Sequence, residues 1–362
     1  MVVEILIEPD FEQSSWGKAI GDSLITALVK KKMNFSKIED ISQITNKSEK
    51  HFLFAIGTDE KWLKYVVSGC TKNKIHPILL GGVPKGPFNG IFSAVTSDLP
   101  RSMYYLISYL KGKGRLKPAL YGINPASLSD AERKESFLRY ADELASENDV
   151  YYNNGSLENC FEDFLQNAKN YDCVICANDY SAISLIRNLK ETGDFGDSLL
   201  VVSYGDTMLS KRMDAPMLTV SMRYEEYGDA AVSICKTLEK NSSLLYMNVA
   251  VKWKISKNTP SAKNEYADII HSDDLVALNS ADEIFYSDNE MREMILVENM
   301  LLECDALDLK ILDVILLGGS YENAAENCFI SQNTAKYRIK KLMNLCNTKS
   351  KRDFLKLIEK YC

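Results

Sequence analysis

The sequence predicts a two-lobed α/β protein with parallel sheets, followed by a small all-α domain. Three observations indicate this fold class. The chain has 362 residues, more than one ordinary hydrophobic core accommodates. From residue 2 to about residue 256, short β-branched or aromatic runs alternate with amphipathic segments. Residues 304–362 read instead as short amphipathic helices separated by polar caps.

The first region is predicted to consist of βαβ units. Strands that alternate with helices of about ten to fifteen residues form mostly parallel sheets, and a region of this length suits two sheets side by side. Strand patterns occupy residues 2–8, 51–57, 75–82, 91–98, 118–123, 148–153, 172–178 and 198–205. Helix patterns occupy residues 15–32, 59–70, 99–111, 129–146, 157–169 and 180–192.

A ligand site is expected at the carboxyl ends of these strands, because ligands of open parallel sheets bind there. Many of these ends are polar or contain glycine, which fits a cleft. The same residue types are common in ordinary turns and helix caps. Any single position could therefore serve either ligand binding or only the local turn. The positions are residues 8–10, 57–58, 81–82, 97–98, 122–124, 178–179 and 204–206.

The charge distribution separates an acidic connector from a basic C-terminal end. Residues 262–305 contain twelve Asp or Glu against two Lys or Arg, whereas residues 331–356 contain eight Lys or Arg against Asp353 alone. A helix pattern at 288–302 has a partly apolar face, which fits a connector or a dimer helix. We therefore expect a sensing domain at 1–258, a linker with this helix at 259–303 and a DNA-binding domain at 304–362.

Residues 304–362 are predicted to form a four-helix bundle that contains a helix-turn-helix. A helix at 306–317 ends at two glycines, Ser320 caps the second helix, and Ser331 caps the third after a turn of three to four residues. On a helical wheel the third helix places Ala335, Ile339, Leu342 and Cys346 on one inner face. The opposite face is polar, basic and free of acids.

This outer face predicts contact with DNA, and each residue type suits a distinct role. Ser331 and Thr334 at the positive helix start can meet a phosphate. Lys336 and Lys341 would neutralise backbone charge, whereas Asn333, Tyr337 and Lys340 are placed to reach base edges. A sequence-specific site usually needs two such modules, so a homodimer is implied. The alternative is a basic bundle that only caps the protein.

Several functional classes are not indicated by the residues. The nine cysteines are scattered and odd in number, as expected of reduced, buried thiols in a cytoplasmic protein. The one CxxC, Cys173 to Cys176, falls in a strand pattern, so neither a metal nor a cofactor is expected. No apolar run has the length of a membrane span. No Gly-rich phosphate loop or G-x-S-x-G motif is present, and we do not expect an enzyme.

The C-terminal motif resembles two families of regulators. AAENCFISQNTAKYRIKKLMNLC is similar to the LuxR-type helix-turn-helix, with Ser331, Thr334 and Lys336 matching its I-S-x-x-T-V-K pattern. Ala335 and Asn347 differ from the Val and Gly that are usual in that family. NTAKYRIKKL also resembles the C-terminal domain of PucR/CdaR-type regulators. Both resemblances imply DNA binding.

The first 260 residues resemble the effector domain of the LacI/GalR family, which has the type I periplasmic-binding-protein fold. Asp98 follows a strand as in that family. Four later stretches match its patterns in order: YGINPASLSDAERKESF, CANDYSAISLIRNLKETG, VVSYGDT and PMLTVSMRYEEYGDAAV. The family places its helix-turn-helix before this domain, whereas here the corresponding motif follows it.

The resemblance implies a sugar-like effector bound by hydroxyl hydrogen bonds. Arg133, Asn178 and Asp179 occupy positions that contact the ligand in the family. Gly205 stands where the family has a ligand-binding Asp, although Asp206 follows it, and this change argues against a simple hexose. From the first strand–helix loop, Phe11 or Trp16 could stack on a ring or only pack between lobes. The ligand-binding residues expected are Asp10, Phe11, Trp16, Asp98, Arg133, Asn178, Asp179 and Asp206.

The leading hypothesis is a transcription regulator that senses a carbohydrate-like molecule between two lobes and binds DNA through its C-terminal helix-turn-helix. Closure of the cleft would change the pose of two dimer-related DNA-binding units. The alternative is a small-molecule sensor whose C-terminal bundle contacts a protein partner. The acidic segment 262–305 suits that alternative.

Overall fold

The computed structural model describes residues 2–44, 51–84, 90–193, 199–213, 217–258 and 288–361. It has two six-stranded sheets and a helical C-terminal part, which confirms the predicted fold class. Most of the predicted acidic linker, residues 259–287, lies outside the described residues. Across the described ranges, every helix is too short or too polar to cross a membrane.

The first sheet belongs to lobe 1 and is entirely parallel, in the order β11-β5-β4-β3-β1-β2. Its central strand, the apolar run HFLFAIG, is buried along its whole length, as expected of a strand covered on both faces. The strands are β1 Val2–Ile7, β2 Ser36–Ile38, β3 His51–Gly57, β4 His76–Gly81, β5 Ser93–Ser97 and β11 Asn248–Val251.

The second sheet belongs to lobe 2 and has the order β12-β10-β9-β8-β6-β7. It is parallel except for β12, which pairs antiparallel with β10. The CxxC cysteines lie in β8, where both are buried and free, as the sequence predicts. The strands are β6 Pro118–Ile123, β7 Val150–Tyr152, β8 Cys173–Cys176, β9 Leu200–Gly205, β10 Met217–Ser221 and β12 Lys254–Asn258.

Helices cover both sheets, and two of them cross between the lobes. The helix after β5 packs on the second sheet through Met103 and Leu106, and the helix after β10 returns to the first sheet through Val232 and Ile234. Lobe 1 has α1 Pro9–Glu12, α2 Ser15–Lys30, α3 Glu60–Asn73 and α9 Tyr227–Lys240. Lobe 2 has α4 Leu99–Gly112, α5 Leu128–Ala141, α6 Leu157–Leu165, α7 Asp179–Thr192 and α8 Met208–Arg212.

One predicted helix was too long, and several short strands were not predicted. The helix predicted over 129–146 ends at Ala141, because Asp142 adopts a positive φ of 51° that an α-helix does not continue through. The strands β2, β10, β11 and β12 were not predicted, and each has only three to five residues. Such short strands have too few alternating residues for their pattern to stand out in the sequence.

The C-terminal bundle has the helices that the sequence predicts. Asp305, Ser320 and Ser331 cap three of them by accepting backbone N–H groups three residues later, at 2.7 to 3.1 Å. The predicted inner face of the third helix is buried, with Ala335, Ile339, Leu342 and Cys346 at most 2% exposed. The helices are α10 Asn289–Leu302, α11 Ala306–Leu316, α12 Tyr321–Cys328, α13 Gln332–Leu345 and α14 Lys351–Tyr361.

Helix α10 joins the bundle to lobe 2. Its apolar face shares one buried cluster with the bundle and with Leu157, Tyr180 and Leu209 of lobe 2. At its start, Asp288 accepts the N–H of Leu157 at 2.7 Å. One turn before its end, Glu298 accepts the N–H groups of Met208 and Leu209 at 3.0 and 2.7 Å. The apolar face is therefore covered by this chain, as expected of a connector helix.

We expect Glu298→Ala to loosen the attachment of the bundle. Glu298 is 2% exposed, and its loss would leave two backbone N–H groups at the start of α8 without an acceptor. The free energy of unfolding should fall by about 2–3 kcal/mol. The measurement is urea unfolding of the full chain. Glu298→Gln retains one acceptor and should lose less, whereas equal stability of all three proteins would contradict the assignment.

Candidate ligand cavity and nucleic-acid interface

A cavity of about 240 Å³ lies between the two lobes. It opens where strands end, as expected for parallel sheets. Seven of its lining residues lie at strand ends that the sequence analysis singled out: Thr58, Gly81, Gly82, Ser97, Asn124, Asn178 and Tyr204. The carboxyl-end rule therefore identifies the position of the cavity without any knowledge of the ligand.

Aromatic rings form much of the cavity wall. Phe11 of α1 and Trp16 at the start of α2 come from lobe 1, and Tyr204 comes from the end of β9. Tyr224 and Tyr227 lie where the chain returns from lobe 2 to lobe 1. Flat rings next to polar groups suit a ligand with an apolar ring face and polar edges.

One charged pair lies in the wall. Arg133 pairs with Asp130 on the same helix, α5, and its guanidinium lies 5.0 Å from the centre of the Tyr204 ring. Arg133 is 8% exposed, and its Nε has no hydrogen-bond partner among the described residues. Burial raises the pKa of Asp130, although Arg133 and the N–H of Asn124 act in the opposite direction. An acceptor group on a ligand would satisfy this Nε.

The structure brings some of the expected ligand-binding residues together and separates others. Phe11, Trp16, Arg133 and Asn178 line the cavity. The side chain of Asp10 lies outside the described part of the structure. Three expected carboxylates are engaged elsewhere: Asp98 caps α4 and pairs with Arg101, Asp206 pairs with Lys211, and Asp179 holds the turn after β9.

The Asp179 carboxylate stabilises the turn after β9 and does not line the cavity. It is fully buried and accepts the N–H groups of Asp206 and Thr207 at 2.9 and 2.7 Å, together with the hydroxyl groups of Ser203 and Thr207. Gly205 makes this possible, because a Cβ at that position would lie 2.3 Å from Asp179 Cγ. Gly205, which stands where the LacI/GalR pattern has an Asp, therefore leaves the space into which the Asp179 side chain turns.

Sequence reasoning missed several wall residues. Tyr224 and Tyr227 follow β10 in the crossing segment, and Asp130 lies inside α5 rather than at a strand end. A usable signal was the aromatic pair in MRYEEY, which directly follows the apolar run MLTVS that forms β10. Asp130 could have been found as the residue one helical turn before Arg133.

The outer face of α13 is exposed, as predicted. Ser331, Asn333, Lys336, Tyr337 and Lys340 are exposed, and Tyr337 is 72% exposed. Thr334 is half-buried, and its hydroxyl lies 2.8 Å from that of Ser331.

Lys341, which is also predicted to bind DNA, has polar contacts within the protein. Its Nζ lies 3.5 Å from the buried carboxylate of Asp308 and 3.4 Å from the carbonyl oxygen of Glu303. Arg338 pairs with Asp305 and with the same Asp308 at 2.8 Å each. Arg338 on this edge of α13 therefore holds α11 in place, whereas Lys341 is itself exposed beside Lys336 and Lys340 on the basic surface.

No protein-family model matches the sequence, and no curated protein matches it. Solved structures do match it at the level of fold. The transcriptional regulator CelR in complex with cellobiose is 14% identical, with a TM-score of 0.60 over 70% of this chain and 83% of that chain. The Lac repressor bound to ONPG is 15% identical, with a TM-score of 0.59 over 72% of this chain and 81% of that chain.

A third structure, the transcription regulator CcpA of Lactococcus lactis, is 17% identical, with a TM-score of 0.55 over 71% of this chain and 98% of that chain. At these identities the likeness shows the fold alone. It agrees with the two six-stranded sheets. The chain thus has the two-lobed α/β fold that these regulators share, with a helical bundle following it.

Proposed function

We propose that this chain is a ligand-responsive transcription regulator. It binds a small, carbohydrate-like molecule in the interlobe cavity and binds DNA through α12 and α13, as a homodimer on a two-fold site. The proposed division is a sensing domain at 1–258, a linker and connector helix at 259–303 and a DNA-binding domain at 304–362. The absence of an enzyme signature in the sequence is consistent with this function.

The main support for DNA binding is the outer face of α13. It has exposed Lys336, Tyr337 and Lys340 and no acidic residue, and it follows an exposed turn that begins at Phe329. A short helix, a turn of three residues and a longer helix stand in the order that a helix-turn-helix requires. The hydroxyl groups of Ser331 and Thr334 lie at the helix start, where a phosphate is favoured.

The decisive experiment is selection of duplex DNA from a random pool by the full chain at low salt. We expect a two-fold sequence to be retained, because a homodimer presents two α13 helices. Binding should weaken steeply as salt is raised, since phosphate contacts release counterions. A pool with no retained duplex would contradict the proposal. The same protein can then be screened against sugars, nucleosides and small acids by thermal shift.

We expect Arg133→Ala to erase the thermal shift that a bound ligand produces. A ligand at a hundredfold excess over its dissociation constant adds ~2.7 kcal/mol of stability, and Arg133 Nε is a buried donor in the wall without a partner in the described part of the chain. Arg133→Lys keeps the charge beside Asp130 but removes Nε, which separates ligand recognition from stability. Arg139→Ala on the same helix is the control. A full shift in both Arg133 variants would refute the cavity assignment.

A protein partner for the bundle is the second candidate. Its specific support is that the two turns flanking α12 each present a large, almost fully exposed apolar side chain, Leu317 at 90% and Phe329 at 94%. Under this alternative, no duplex would be retarded even at low salt. Leu317→Ser and Phe329→Ser would then abolish recruitment of the partner while leaving the ligand shift unchanged.

A further inference from the structure

Trp16 belongs to both the cavity and the core that holds the bundle. Its side chain lines the cavity, and it also packs against the buried cluster that α10 and the bundle share with lobe 2. It lies at the start of α2 in lobe 1, so it reaches lobe 2 from across the cleft. A ligand that fills the cavity therefore touches a side chain that is in contact with the C-terminal core.

The residue that receives this contact in lobe 2 is Tyr180. The ring centres of Trp16 and Tyr180 lie 5.3 Å apart, with 54° between the ring planes. The Tyr180 hydroxyl lies 3.0 Å from that of Ser15 in lobe 1. Tyr180 is fully buried and packs in the same cluster as Met291 and Met294 of α10.

A second connection starts from the residues just before Tyr180. Asn178 lines the cavity and caps α7, and Asp179 holds the turn into α8. The first N–H groups of α8 are in turn bound by Glu298 of α10. Three consecutive residues therefore connect the cavity wall, the α8 turn and the connector helix.

We infer that the contact of Ser15 and Trp16 with Tyr180 couples ligand occupancy of the cavity to the pose of α10 and hence of α13. The inference rests on the proposed function and adds the route of regulation. A ligand that moves Trp16 changes the packing on Tyr180, while α10 moves with lobe 2 because Asp288 and Glu298 fasten it there. Trp16 and Tyr180 are positioning residues in this route, and the coupling is reciprocal: DNA binding must alter the surroundings of Trp16.

Reciprocity allows a test without the ligand. A duplex selected by the full chain from a random pool is titrated into the protein while tryptophan emission is recorded. We expect the emission maximum to shift in the wild type. The shift should persist in Trp62→Phe and Trp253→Phe and be lost in Trp16→Phe. A bound duplex with unchanged emission, or a shift that persists in Trp16→Phe, would overturn the inference. A pool that yields no duplex would overturn the proposed function, and the inference with it.

A double-mutant cycle tests the hydrogen bond itself. Ser15→Ala and Tyr180→Phe each remove one partner of the same bond, and Phe keeps the ring. Each should change the dissociation constant of the selected duplex by the same factor, roughly two- to tenfold. The double variant should show no further change, because the bond is already lost. Effects that multiply, or no effect in either single variant, would show that this contact is not the route.

Discussion

Lys336→Ala combined with Lys340→Ala should abolish DNA binding at physiological salt. Both lysines are exposed on the outer face of α13, and a lost contact to a base or phosphate costs roughly 1–3 kcal/mol. The combined loss corresponds to a dissociation constant at least about thirtyfold higher. The slope of log affinity against log salt concentration should also become less negative by about 1 for each lysine that contacts a phosphate.

The matched control removes two exposed lysines from other helices of the same bundle, Lys310→Ala with Lys356→Ala. It has the same net charge as the double variant, so a general electrostatic effect would weaken both proteins equally. Circular dichroism and thermal melting should be nearly unchanged in both, because all four lysines are exposed. Unchanged DNA affinity in Lys336→Ala/Lys340→Ala would refute DNA recognition by α13.

Gly205→Ala should destabilise the protein strongly, because there is no room for a methyl group at this position. The added Cβ would meet the carboxylate of buried Asp179 at 2.3 to 2.4 Å. Asp179 would have to leave the N–H and hydroxyl groups that it binds in the turn after β9. We expect a loss of roughly 3–5 kcal/mol, because overpacking and broken buried hydrogen bonds both contribute. Urea unfolding of the full chain measures this loss.

Two comparisons separate the steric effect from a general effect of glycine. Gly112→Ala has nothing within 4 Å of the new Cβ and should be neutral or slightly stabilising. Asp179→Ala combined with Gly205→Ala should be no less stable than Asp179→Ala alone, because the clashing carboxylate is gone. If Gly205→Ala were as stable as the wild type, the close packing of Asp179 on Gly205 would be wrong.

The order and spacing of most strands and helices could be predicted because each of these elements has a local cause. Buried parallel strands such as β3 read as unbroken apolar runs, and helices such as α11, α12 and α13 begin at capping residues that the sequence shows directly. The return of α9 to lobe 1 and the antiparallel β12 depend on contacts between distant segments. Periodicity within a short window contains no information about such contacts.

The candidate site likewise has parts that follow from local patterns and parts that depend on distant contacts. The strand-end rule and a helical wheel located the cavity wall and the outer face of α13, because both follow from geometry within one element. Which carboxylates face the cavity did not follow. Asp98, Asp179 and Asp206 have the right type and place in the sequence, yet each is satisfied by neighbouring N–H groups or bases.

By itself, therefore, the sequence determined the fold class, the order of the C-terminal helices and the basic, acid-free face of α13, since caps and periodicities are local properties. Only the tertiary structure decided that Asp179 turns inward against Gly205 and that Arg338 pairs with the buried Asp308. It also decided that Trp16 and Tyr180 meet across the cleft beside the connector helix. Residues so far apart along the chain have no common local pattern, so only folding brings them into contact.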